Sequence, residues 1–179
     1  MLEGKNVRLR VVEKEDLPLI TEWMNNPDFW GEYFSPTQRT RTEVEKTFEN
    51  NPLEYKQFLI EKKDGTKVGA IVHFNALAPY GKTLEIGYAL LPGERGKGHC
   101  TEAAMIMVDY LFLSKDVACI QATTDVGNVA SQKVLAKTGF KKEGLLRKRF
   151  FSNGEWRDTV MFSILREEWE RPKILTKTV

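Results

Sequence analysis

One junction constrains this chain more than any other segment. A β-rich run from Thr83 to Leu91 stops at Pro92-Gly93, passes through Glu94-Arg95-Gly96-Lys97-Gly98-His99-Cys100, and enters a helical pattern running from Thr101 to about Ser114. The first turn of a helix carries unpaired backbone N–H groups at the positive end of the helix dipole. A glycine loop that feeds such a turn therefore makes a receptor for phosphate or pyrophosphate. Gly96 and Gly98 would let the backbone approach an anion without a Cβ in the way, and Arg95 and Lys97 add positive charge. The same glycines could instead serve only a tight turn. The segment is not a Walker A loop, which needs four residues between its glycines and Ser or Thr after the lysine. Nor is it a dinucleotide fingerprint, which needs a third glycine where Thr101 stands.

The pattern around the junction is mixed α/β. Val7 to Val12 begins with the alternation of a half-buried strand, and Glu15 and Asp16 open a helix whose Leu17, Ile20, Trp23 and Met24 recur at helical spacing up to Asn25-Asn26-Pro27. The stretch to Arg41 reads as a loop, in which Phe29, Trp30, Tyr33 and Phe34 either wall a ligand or are pinned by core contacts of their own. Thr42-Glu43-Val44-Glu45 has the form of a capping box and predicts a helix to about Asn50. Gln57 to Lys63 and Lys67 to Asn75 flank Asp64-Gly65-Thr66 as a hairpin. Val117 to Thr124 is a further strand, Asn128 caps a helix to Thr138, and Gly139 stands where a left-handed C-terminal cap is needed. Leu145 to Ser152, Asn153-Gly154 and Asp158 to Leu165 form a second hairpin. With 179 residues, 41% of them hydrophobic, a chain of this size buries roughly 70% of its unfolded surface, so one ordinary core suffices. The expected organisation is a single domain over residues 1–170 and a fraying tail over 171–179.

Composition excludes several classes of function. Lys and Arg total 27 against 25 acidic residues, too balanced for a protein held to nucleic acid by phosphate contacts. Two cysteines, Cys100 and Cys119, are too few for a disulfide framework, and two histidines without ligand spacing to a cysteine predict no metal site. The start lacks a signal-peptide layout, and the apolar stretch Ala103 to Leu113 is broken by Asp109. A soluble cytoplasmic protein without membrane or nucleic-acid partners is expected, with a homodimer left open.

Two segments carry a family resemblance. Arg95-Gly96-Lys97-Gly98-His99-Cys100-Thr101-Glu102-Ala103 resembles the acetyl-CoA loop of GCN5-related N-acetyltransferases (GNAT), with Cys100 where that pattern ends in Gly or Ala. Downstream, Asn128-Val129-Ala130-Ser131 and the helix end Thr138-Gly139-Phe140 resemble the family's second cofactor motif. The closing Arg149 to Asp158 segment and Glu168-Trp169 are similar to its RimJ/RimL branch, and the likeness runs from Leu2 to Trp169. It implies a three-layer α/β/α fold, with a central, mostly antiparallel mixed sheet that splays where acetyl-CoA enters.

The resemblance also assigns roles. It places acetyl-CoA on Arg95, Gly96, Lys97, Gly98, His99, Cys100, Thr101, Asn128 and Ser131, and has a backbone N–H near Leu90 or Leu91 polarise the thioester carbonyl. The family's usual acid, a tyrosine, would stand at Leu135. Ser131 is the RimJ/RimL-like substitute, although it could equally be an ordinary first-turn helix residue. For the base, Leu84-Glu85-Ile86-Gly87-Tyr88 puts the Glu85 carboxylate and Gly87 on one strand face, with room for a substrate beside the acid. Glu85 could also be a plain exposed strand residue, and His73 is a weaker candidate. Trp30, Tyr33, Asn75 and Tyr88 are expected to border the acceptor. The implied function is N-acetyl transfer from acetyl-CoA to a primary amine, a protein N-terminal α-amine. The alternatives are a small amine (an amino sugar, polyamine or antibiotic) and a non-catalytic acyl-CoA-binding module.

Overall fold

The structure, a computed structural model, describes residues 1–35, 37–50, 54–76 and 83–175. In chain order the elements are β1 (Leu2–Glu3), β2 (Val7–Val11), α1 (Leu17–Asn25), α2 (Pro27–Trp30), α3 (Arg41–Asn50), β3 (Lys56–Lys62), β4 (Lys67–Asn75) and β5 (Thr83–Leu90). They continue with α4 (His99–Ser114), β6 (Cys119–Asp125), α5 (Val129–Thr138), β7 (Lys141–Ser152) and β8 (Glu155–Leu165). The strands form one 8-stranded sheet in the order β1-β2-β3-β4-β5-β6-β8-β7. β5 and β6 run parallel and the other neighbouring pairs antiparallel, which is the mixed sheet expected.

Strand alternation sends side chains into two cores, one on each face of the sheet. Phe58, Ile60 and Ile71 join α4 and α5 on one face, whereas Leu59 and Ala70 meet α1, α2 and α3 on the other. α4 is the most deeply buried helix: Ala103, Ala104, Ile106, Met107 and Leu111 are inaccessible to solvent. Truncating Met107 to Ala there would cost ~2–5 kcal/mol.

β5 and β6 pair only over Thr83 to Glu85 against Cys119 to Gln121. Beyond those positions β5 stays on β4 and β6 stays on β8, so the sheet opens into a V between Ile86–Leu90 and Ala122–Asp125. The opening faces the N-termini of α4 and α5, and that placement creates the site.

Several expectations need correction. The stretch from Pro27 is not a plain loop: Asn26 accepts from Asp28 N–H and starts the short α2, which a single 3-10 turn over Gly31–Tyr33 follows. The capping box of α3 lies two residues earlier than expected, with Thr40 and Glu43 as reciprocal partners. The closing strands are longer than the pattern suggested and contain register shifts after Lys142 and Leu146. Residues 173–175, expected to fray, are held by a buried carboxylate: Asp109 accepts from the N–H groups of Lys173, Ile174 and Leu175 and from Trp169 Nε1. Residues 176–179 of the expected tail lie outside the described residues.

Candidate active site

The V opens into a cleft of about 1090 Å³. One end of it is the loop before α4. Gly96 and Gly98 hold φ of +76° and +84°, the left-handed region that glycine enters freely, and a Cβ at either would meet open space. α4 has no side-chain cap, and none of the backbone N–H groups from Gly96 to Thr101 finds a protein acceptor among the described residues. A row of bare donors at the head of a 16-residue helix is an anion site of the kind a pyrophosphate fills.

The loop cations are less free than their charges suggest. Arg95 Nε donates to the Leu90 carbonyl at 3.1 Å, and its Nη2 donates to the Asp28 and Phe29 carbonyls at 2.6 and 2.9 Å. Arg95 is therefore a clamp between α2 and the end of β5 rather than a mobile charge. Lys97 pairs with Glu94 at 3.2 Å, and His99 Nδ1 lies 3.4 Å from the same carboxylate. Lys97 holds the Glu94 carboxyl below its ordinary range. Cys100 borders the cleft, and burial pushes its thiol up to about 12, so it stays protonated at neutral pH.

Strand geometry selects which N–H groups face the V. Leu91 N–H donates to the Val68 carbonyl at 2.9 Å. Leu91, one of the two expected carbonyl donors, is therefore engaged with β4. Alternation turns the N–H groups of Tyr88 and Leu90 the other way, into the opening.

On the far wall, Asn128 Oδ1 accepts Ser131 N–H at 3.0 Å and caps α5. Because Asn128 provides the cap, the Ser131 hydroxyl is free to turn to the cleft, where it lies 3.1 Å from the Tyr88 hydroxyl. Burial pushes the Tyr88 phenol well above its ordinary range. Tyr88, expected beside the acceptor, directs its hydroxyl to Ser131 at the start of α5. Leu135 is buried against the same cleft.

Glu85 sits at the last paired position before the V opens. Its carboxylate accepts from Gln121 Nε2 at 2.9 Å and from Thr123 Oγ1 at 2.8 Å. Thr123 borders the cleft directly, so Glu85 reaches it through that hydroxyl. His73 does not: it is buried on the opposite face between Phe58 and Tyr110, and desolvation lowers its pKa to about 4. Asn75, expected at the acceptor, is an exposed residue at the end of β4 away from the cleft lining.

The aromatic segment after α1 both walls the cleft and is pinned. Trp30 Nε1 donates to the Met24 carbonyl at 2.8 Å, and Tyr33 OH donates to the Gly127 carbonyl at 2.9 Å. The β7–β8 tip holds it from outside through Ser152 and Asn153. Behind Tyr33, Arg157 stacks on the ring and pairs with buried Asp125, holding that carboxyl below its usual range. Asp125 also accepts Gly127 N–H at 2.7 Å, which fixes the turn before α5. Sequence reading assigned no role to Arg157 or Asp125, and no local signal marks either, because their contact spans 32 residues.

Residues 6–141 match the acetyltransferase (GNAT) domain model. This chain belongs to the GNAT family. It is similar to a probable N-acetyltransferase, YjcK of Bacillus subtilis (strain 168), at 33% identity over 96% of this chain and 100% of that one. It is 26% identical to the spermidine N(1)-acetyltransferase of Escherichia coli (strain K12), over 94% of this chain and 91% of the other. Among solved structures, a spermidine N-acetyltransferase from Vibrio cholerae in complex with CoA and spermine has the same fold. The TM-score is 0.79 at 23% identity, covering 92% of this chain and 98% of that one. This GNAT domain is thus an acyltransferase. Among the described residues it has no helix long and apolar enough to cross a membrane and no cluster of three or more potential metal ligands.

Proposed function

We propose that the chain transfers the acetyl group of acetyl-CoA to a primary amine by direct attack, with the α-amine of a peptide or protein N-terminus as acceptor. The observation that carries this reading is the row of unpartnered N–H groups from Gly96 to Thr101 beside a sheet that parts at Ile86. Bound acetyl-CoA supplies an acetyl group activated as a thioester. The loop and the start of α4 hold its pyrophosphate. Asn128 and Ser131 border the pantetheine path, and the N–H of Leu90 or Tyr88 polarises the carbonyl.

Glu85, directly or through a water beside Thr123, takes the proton from the incoming ammonium. Ser131 donates a hydrogen bond or a proton to the departing sulfur, in the place where the family's usual tyrosine is Leu135. The Cys100 thiol, held protonated by burial, is a poor nucleophile, in keeping with transfer in one step. Much of the acceleration comes from holding the two reactants together.

The α-amine reading rests on the RimJ/RimL-like segments: Ser131 with Leu135 on α5, and the closing hairpin. A small-amine acceptor is favoured by one specific finding, the relative named as a spermidine N(1)-acetyltransferase. Thiol release from acetyl-CoA, measured with peptides bearing free or blocked N-termini and with small amines, tests the reading. Release with the free-N-terminus peptides and not with the blocked ones is the expected result. Release with small amines alone would overturn the α-amine assignment.

A further inference from the structure

The acceptor end of the cleft has a definite chemistry. It lies on the α1–α3 face, away from the α4 loop. Val11, Met24, Trp30, Phe34, Phe48 and Tyr55 line it. Four of these are large apolar side chains with much of their surface open: Val11 47%, Phe34 51%, Phe48 41% and Tyr55 40%. Apolar surface gathered in a concave site, rather than scattered over the exterior, marks the place where a ligand's apolar part is buried.

Charge sharpens the reading. Glu32 is the one carboxylate among the described residues lining the whole cleft, whereas Arg39, Lys56 and Arg95 all border it. Residues 36, 51–53, 77–82 and 176–179 contain no Asp or Glu. Acidic residues on α3 are turned to their own element or to α1's approach: Glu43 to Thr40, Glu45 to Arg41 and Glu49 to Lys14. A polyamine needs a carboxylate for each further ammonium that enters the cleft, and, with Arg95 clamped on its carbonyls, these walls offer it Glu32 against Arg39 and Lys56. A single amine attached to an apolar group needs one base at the V and an apolar wall beyond it, and both are present.

We propose that the acceptor is a primary amine borne by an apolar or aromatic group, and that polyamines are poor acceptors. This rests on the acetyl-transfer reading of the same cleft. Two sources share the chemistry: a free arylalkylamine, and the α-amine of a peptide whose first side chain is apolar. Burying a phenyl-sized group against these walls would favour such an acceptor by about 10- to 100-fold over one that lacks it.

The test compares phenethylamine with ethylamine, Phe-Ala-Ala with Gly-Ala-Ala, and both sets with spermidine. It uses thiol release for kcat/KM, and calorimetry on the CoA-saturated protein for affinity. The expected result is a gain of about 10- to 100-fold in kcat/KM for the apolar member of at least one pair, expressed mainly in KM, with spermidine below it. Whichever pair shows the gain identifies the source. Phe48→Glu, at a position that is 41% exposed, should lower the value for the apolar acceptor at least tenfold and raise that for spermidine. Spermidine matching or exceeding the apolar acceptors would overturn the proposal, as would apolar pairs with no difference in either assay. Tighter calorimetric binding of the apolar amines without turnover of any amine would keep the pocket assignment and overturn the acetyl-transfer reading instead.

Discussion

The Tyr88 hydroxyl lies 3.1 Å from Ser131 Oγ, joining β5 to α5 beyond the point where β5 and β6 part. Asn128 takes over the capping of α5, which leaves the serine side chain to this contact and to the cleft. Ser131→Ala should lower the chemical step by about 10- to 10,000-fold with acetyl-CoA affinity unchanged, the range for loss of a proton donor. Tyr88→Phe removes only the group that orients Ser131, and a loss of ~1 kcal/mol corresponds to about fivefold. Single-turnover rates with calorimetric Kd values check both variants. Wild-type turnover in Ser131→Ala would leave the serine as a helix residue alone.

Gly98 is one of the loop's two left-handed positions, with φ of +84° and open space where a Cβ would stand. Gly98→Ala tests the backbone conformation and Gly98→Glu adds negative charge at the proposed pyrophosphate site. Acetyl-CoA affinity should fall modestly in the first and by more than about tenfold in the second, since the charge repels the ligand beyond any strain. Calorimetry on folded proteins is the measurement, and equal affinity in all three would remove the site from this loop.

His73 predicts acid sensitivity. Burial between Phe58 and Tyr110, with Lys115 and Lys56 nearby, lowers its pKa from 6.5 to about 4, while Glu54 acts in the opposite sense. The unfolded chain therefore binds more protons than the folded one between those values. The contribution is fully present above about pH 6.5 and is lost as pH falls toward 4, by ~3 kcal/mol in all. His73→Phe should flatten the urea midpoint against pH over that window. An unchanged slope would mean that other groups dominate the acid limb.

How much of this was legible in sequence depended on the range of the interactions. Asp64-Gly65 and Asn153-Gly154 announced their hairpins because turn chemistry is local, and Asn153 and Gly154 do adopt φ of +51° and +83°. The glycine loop and the Asn128 cap were equally local. Thr40-x-x-Glu43 and Thr42-x-x-Glu45 are indistinguishable as capping boxes, so the start of α3 was misplaced. Asn26-Pro27 reads as a stop because it ends α1, and nothing local shows that Asn26 also starts α2. Arg95 looked like a free cation because its three carbonyl acceptors lie on two elements, one of them more than 60 residues away. The Tyr88–Ser131 pair and the Asp125–Arg157 pair are likewise products of topology. The residues proposed for chemistry stand out in the sequence one by one, but their spatial grouping depends on where β5 and β6 separate.

Asp109 should control the end of the chain. It is buried and accepts backbone N–H groups from Lys173, Ile174 and Leu175. Asp109→Ala leaves those donors without their acceptor, at ~1–3 kcal/mol for each that stays buried, so the segment should detach instead. Hydrogen exchange at 173–175 should rise to the rate of an open chain. Retained protection there would show that apolar contacts of Ile174 and Leu175 suffice.

The last prediction concerns the base. Glu85 is held by Gln121 and Thr123 at the point where the strands part, so its carboxylate is fixed at the apex of the V without a cation to neutralise it among these contacts. An α-amine has an ordinary pKa near ~8 and is partly neutral at physiological pH, whereas an alkylamine near ~10.4 is almost wholly charged and depends more on deprotonation in the site. Glu85→Gln keeps the shape and removes the proton acceptor. Turnover should fall, and the rising limb of the pH–rate profile should move upward toward the pKa of the acceptor itself, farther for an alkylamine than for a peptide N-terminus. Acetyl-CoA affinity should not change, because Glu85 contacts Gln121 and Thr123 on β6 and not the proposed pyrophosphate loop. The measurement is the kcat profile of both proteins from about pH 6 to 10 with one α-amine and one alkylamine acceptor. A profile unmoved with either acceptor would make Glu85 a strand-pairing residue whose carboxylate only ties Gln121 and Thr123 to β5.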